Sequence, residues 1–87
     1  MKAVITVIGF DMVGILAKVS TTCAEANANI LEVTQSVLQE FFAMIMVIDI
    51  TKMNRGLDKL KEDLDNNVPG MTIHVMHEDI FNSMHRI

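Results

Sequence analysis

Basic charge is scarce in this sequence: seven lysines and arginines stand against eleven aspartates and glutamates in 87 residues, a formal net charge of −4. A nucleic-acid-binding surface needs clustered cations to match a phosphate backbone, so that class of partner is disfavoured by composition. Cysteine is nearly absent as well. Cys23, the only one, cannot form an internal disulfide, and its place on an Ala/Ser/Thr-rich helix fits a small buried hydrophobe in a reducing cytoplasm. No apolar run is long. The longest, Phe41 to Ile48, falls far short of the ~20 residues that span a bilayer. No N-terminal stretch joins a basic end, an apolar middle and a small-residue cleavage site, so a soluble cytoplasmic protein is expected. The glycines are few, and although Gly9 and Gly14 stand in GxxxxG spacing, no Lys-Ser or Lys-Thr follows, which argues against a phosphate loop.

What the chain does have is apolar surface, with 51% of its residues hydrophobic. At this length it is expected to form one domain, 1–87, whose modest core leaves something to gain from oligomerisation.

Lys2 to Ile8 reads as a central strand, with Val4, Thr6 and Ile8 on one face and Ala3, Ile5 and Val7 on the other. Gly9 is expected to end it. Met12 to about Ala28 reads as a helix on the stripe Ile15, Val19, Thr22 and Ala26, with Leu16 and Cys23 beside it. Asn27-Ala28-Asn29 ends that helix, since Asn tolerates the left-handed conformation. Ile30 to Leu38 alternates as a second strand, Leu31, Val33 and Val37 opposite Glu32, Thr34 and Ser36. Gln39-Glu40 reverses the chain into a third strand, Phe41 to Ile50, apolar on both faces. A second helix carries Leu57, Leu60, Leu64 and Val68, with Lys59–Asp63 and Lys61–Asp65 as pairs on a solvated side. Val68-Pro69-Gly70 stops it, and Met71 to Glu78 reads as an edge strand. Asp79 then caps a short last helix bearing Ile80, Phe81, Met84 and Ile87.

The order βαββαβ plus a C-terminal helix, joined by right-handed crossovers, predicts an α+β ferredoxin-like sandwich. Its four-stranded antiparallel sheet has strand order 2-3-1-4 and both long helices on one face. The other face should then be polar, yet the central strands are apolar on both sides, which calls for a second copy of the chain or a partner.

The stretch Gly9-Phe10-Asp11-Met12-Val13-Gly14 is the centre of the functional reading. Asp11 reads as the N-cap of the first helix, and Gly14, read in its first turn, leaves the amides open to a small anion. An ordinary strand-to-helix loop accounts for the same six residues.

With the fold order and this loop, the sequence resembles the ACT domain family, small regulatory modules that typically bind amino acids. It looks closest to the family's stand-alone single-domain members. The resemblance rests on the strand Ala3 to Ile8, on Gly9 to Leu16, and on Ala28-Asn29-Ile30. It implies an amino acid held at a dimer interface by Asp11, Val13, Gly14, Ile15 and Asn29. Helix amides suit an α-carboxylate, Asp11 an α-ammonium, and Asn29 both donates and accepts. Some amino-acid-sensing relatives differ where Gly9, Asp11 and Val13 stand, so the effector is not inherited with the fold.

Other constellations are weaker. A metal site from His74, His77, Glu78 and His85 is disfavoured because His74 and His77 fall on opposite faces of a strand. The eight methionines read as adaptable packing rather than soft-metal ligands. An enzyme of related fold needs a buried acid or base with a partner, and Asp49 at a strand end is the one candidate. An RNA-binding sheet needs exposed aromatics in basic surroundings on its central strands, and neither is expected. The reading is therefore a non-catalytic, amino-acid-binding regulatory domain acting as a homo-oligomer, without metal or cofactor. The alternative is a protein-interaction module of the same fold that has lost the ligand.

Overall fold

The computed structural model describes residues 1–84. His85 and Ile87, which entered the metal and last-helix readings, lie outside the described residues. The elements are β1 (Lys2–Phe10), α1 (Ile15–Glu25), β2 (Asn29–Leu38), β3 (Phe41–Asp49), α2 (Leu57–Asn67), β4 (Thr72–His77) and α3 (Glu78–Met84). The strands form one antiparallel sheet in the order β2-β3-β1-β4, as the sequence pattern predicts, with β4 at an edge.

Pairing fixes which side chains share a face. Ala3, Ile5 and Val7 lie beside Ile48, Met46 and Met44, and all six are buried in one cluster with Ile15, Val19 and Cys23 of α1 and Leu60 and Leu64 of α2. The alternation of period two in the strands and the stripes in the helices meet here, and burial of this apolar surface is the main stabilising term. Thr22 joins the two helices. Its hydroxyl donates to the Lys18 carbonyl at 2.8 Å and accepts from Asn67 Nδ2 at 3.0 Å, so the one buried polar side chain among the described residues is satisfied.

The opposite sheet face is covered only in part. Val4 is buried outside the main cluster, and α3 packs on β1 and β4 near that end. Further along, Ile8, Ile45, Phe10 and Phe41 are exposed, the two aromatics by 61% and 54%. Phe10 and Phe41 stack at 5.0 Å between centroids. Exposed aromatics on the central strands were not expected, and they stand here because Phe10 belongs to β1 and pairs with Phe41. The one basic residue at an outward position of β1 or β3 is Lys2, at the far end of the strand from the aromatic pair.

Three local expectations change. The strand does not stop at Gly9, which pairs with Phe42 inside the ladder. A Cβ there would lie 2.5 Å from Met71 Sδ and 3.2 Å from the Gly70 carbonyl, so this glycine permits close approach rather than a turn. Asp11 is not the cap of α1. Its amide donates to Glu40 O at 2.7 Å, which extends the β1–β3 pairing and leaves Asp11 four residues before the helix begins at Ile15. The capping position belongs to Gly14, left-handed at φ 86°, with no side-chain cap bond. In β2, a bulge between Ile30 and Glu32 shifts the register, and Leu31, Val33 and Val37 are all exposed because the helices do not reach over this edge.

The remaining signals hold. Asn27 is left-handed at φ 59°, and so is Gln39 in the two-residue hairpin. Gly70 at φ 87° turns the chain into β4. Asp79 is the exception: α3 begins at Glu78, so Asp79 does not cap the helix but lies inside its first turn, where its charge complements the helix dipole.

Candidate functional site

The five predicted binding residues lie at two ends of the sheet. Asp11, Val13, Gly14 and Ile15 follow β1 at the end where Phe10 meets Phe41. Asn29 opens β2 at the other end, beside Asp49, which in turn pairs with Lys2. The nine-residue β1 spans the interval, roughly 25 Å at strand rise. One chain does not bring the two groups together.

At the loop end, Val13 is 98% exposed while Ile15 is buried in the core, so Ile15 offers only its backbone to a ligand. The first intrahelical bond runs from Lys18 N to Gly14 O at 3.0 Å. The amides of the first turn therefore lack intrahelical partners and point outward past a residue without a side chain. Asp11 is exposed beside them.

At the other end, Asn29 lines an open cavity of about 580 Å³ with Asp49, Thr51 and Lys52, over small side chains at Ala24 and Ala28. Its wall is fixed by the carbonyls that end α1. Asn54 donates from its backbone to Ala26 O and from Nδ2 to Glu25 O, both at 3.0 Å. Arg55 also donates to Glu25 O at 3.0 Å, and Asn27 Nδ2 donates to Lys52 O at 2.8 Å. Arg55 is held in turn by Asp63 at 2.6 Å, whose carboxyl lies below its ordinary range chiefly because of that bond. The sequence showed Asn27 as a helix breaker but gave no sign that Asn54 and Arg55 would cap the same helix, because those contacts close a loop across the fold.

Asp49 is not a catalytic acid of raised pKa. Hydrogen bonds from Thr51, side chain first and backbone second, hold it below its ordinary value, with a further contribution from the chain's amino terminus. The Thr51 amide lies 2.9 Å from Oδ1 and the terminal ammonium 3.8 Å from it. Cys23 is fully buried, and burial raises its thiol to about 11. His74 pairs with Thr6 on the outer face and His77 with Ala3 on the helix face, so they point apart as expected. Among the described residues, no three His, Cys, Asp or Glu converge to hold a metal. No described helix is long and apolar enough to cross a membrane.

A model of the ACT domain matches residues 2–77, and the chain belongs to the ACT domain family. ACT domains are in general ligand-binding regulatory modules. The chain is 47% identical to a UPF0237 protein of Clostridium acetobutylicum, over all of both chains. It superposes on an ACT domain protein from Streptococcus pneumoniae with a TM-score of 0.76 at 33% identity, covering 98% of each. It also shares its fold with the regulatory subunit of aspartate kinase from Thermus thermophilus in its ligand-free form. That match has a TM-score of 0.64 at 24% identity, over 85% of this chain and 49% of that one.

Proposed function

We propose that this protein is a non-catalytic regulatory domain of the cytoplasm that binds a small amino acid between two copies of itself. Asp11 and the amides at Val13, Gly14 and Ile15 come from one copy, and Asn29 from the other. The observation that carries the reading is the placement of the two half-sites at opposite ends of a sheet whose edge strand, β2, is exposed almost throughout. A two-fold axis through the middle of β2 sets the start of that strand in one chain beside the end of it in the next. Asn29 then approaches the partner's β1–α1 loop. The exposed apolar residues of β2 are covered by the same contact.

A thermal-shift screen against the common amino acids tests the reading. At one hundred times its dissociation constant, a ligand that binds only the folded state adds about 2.7 kcal/mol, on the order of ten degrees for a domain of this size. Asn29→Ala should remove most of that shift with little change in the unliganded melt. If no amino acid moves the wild-type melt at millimolar concentration, the interaction-module reading replaces this one. The exposed apolar outer face is the observation that favours that second reading.

A further inference from the structure

Two ionic groups of opposite sign line the cavity at Asn29 without neutralising one another. Asp49 and Lys52 share the lining but form no ion pair. Asp49 is bonded by Thr51 through side chain and backbone and lies near the chain terminus and Lys2. The Asp49 side chain is still 42% exposed, and among the described residues the Lys52 ammonium has no hydrogen-bond or ion-pair partner. The backbone that carries Lys52 is nevertheless held in place, since its carbonyl accepts from Asn27 and the next turn is tied to the end of α1 by Asn54. A fixed wall presenting a part-exposed anion and an unpaired cation is a built recognition surface.

The chemistry of that pair narrows the ligand. If the partner's helix amides and Asp11 take the α-carboxylate and α-ammonium, the cavity is left with the side chain. An acidic side chain would meet Asp49, a basic one would meet Lys52, and an aliphatic one would strip water from both without replacing its bonds. A neutral group that donates and accepts satisfies both. A carboxamide does so, its NH2 donating to a lone pair of the exposed Asp49 carboxylate and its oxygen accepting from Lys52.

We propose that Asp49 and Lys52 are the specificity-determining pair of this cavity and that it takes an amino acid with a carboxamide side chain. The inference rests on the amino-acid reading above and names the ligand within it.

Calorimetric titration of the intact protein with L-glutamine, L-asparagine, L-glutamate, L-aspartate and L-norvaline tests it. One of the two carboxamides should bind about tenfold more tightly than the acid of equal length, the difference expected for one hydrogen bond to a charged group. Lys52→Met should weaken carboxamide binding and leave the unliganded melt unchanged, because Lys52 has no described partner to lose. Asp49→Asn keeps an acceptor for Thr51 but removes the negative charge, so it should turn the preference toward the acid. Equal affinity for the amide and the acid in the wild type, or an unchanged ratio in Asp49→Asn, overturns the assignment while leaving amino-acid binding in place. Absence of binding by every amino acid removes the parent reading, and this assignment with it.

Discussion

Gly9 and Gly14 show how one residue type serves two physical needs within six positions. Gly14 has a left-handed backbone and open space where a Cβ would go, whereas Gly9 has no positive φ but would drive a Cβ into Met71 and the Gly70 carbonyl. Substitution should separate the two cases. Gly14→Ala should cost ~1 kcal/mol through backbone strain, and Gly14→Asn should recover much of that because Asn tolerates this conformation. Gly9→Ala should cost about 1–3 kcal/mol through overpacking, Gly9→Asn should cost more, and Met71→Ala should relieve part of the Gly9→Ala penalty. Urea unfolding of the five variants checks this, and rescue of Gly9 by Asn would contradict the packing account. The sequence marked both glycines but read Gly9 as a strand-ending turn and Gly14 as an opening beside the helix amides, since a string of residues does not show that Met71 lies across from Gly9.

At the scale of elements, the hydrophobic pattern specified most of the fold. The inward residues of β1 and β3, the stripes of α1 and α2, and the edge position of β4 follow from periodicity, because the same alternation that marks a strand also assigns its buried face. Helix ends were less legible. α1 begins three residues later than its apolar pattern because the ladder holds Asp11 and Gly14 takes the capping position. β2 misled in another way, for its alternation set an apolar side, Leu31, Val33 and Val37, opposite a polar one, although both sides are exposed in the single chain. The two-sided pattern of β3 now resolves by residue: Met44 is in the core, and Ile45 is 41% exposed on the outer face. Met44→Asp should therefore cripple folding by burying an unpaired carboxylate. Ile45→Asp should leave a folded chain with a cooperative melt. If the outer face joins copies, Ile45→Asp should also lower the mass seen by light scattering at micromolar concentration. A cooperative melt for Met44→Asp, or loss of folding in Ile45→Asp, would count against the face assignment.

At the scale of the whole molecule the chain is a slab, 35 × 35 × 19 Å along its principal axes, about the thickness of one sheet and one helix layer. A slab this thin buries one broad face and leaves the other to a neighbour. The candidate site was legible as a set of residue types but not as a place, because its halves are separated by the length of β1 and meet only through a second chain. Subunit mixing tests that geometry directly. Asp11→Ala and Asn29→Ala should each abolish amino-acid binding as pure homo-oligomers. After the two variants are mixed in equal amounts and allowed to exchange subunits, each mixed dimer holds one doubly damaged site. Its other site joins an intact Asp11 from one chain to an intact Asn29 from the other. Random exchange makes roughly half the dimers mixed, so about a quarter of all sites should recover binding with wild-type affinity. A site built within one chain, or one that does not use both residues together, would show no recovery on mixing, and the two-chain site would have to be abandoned even if the protein binds amino acids.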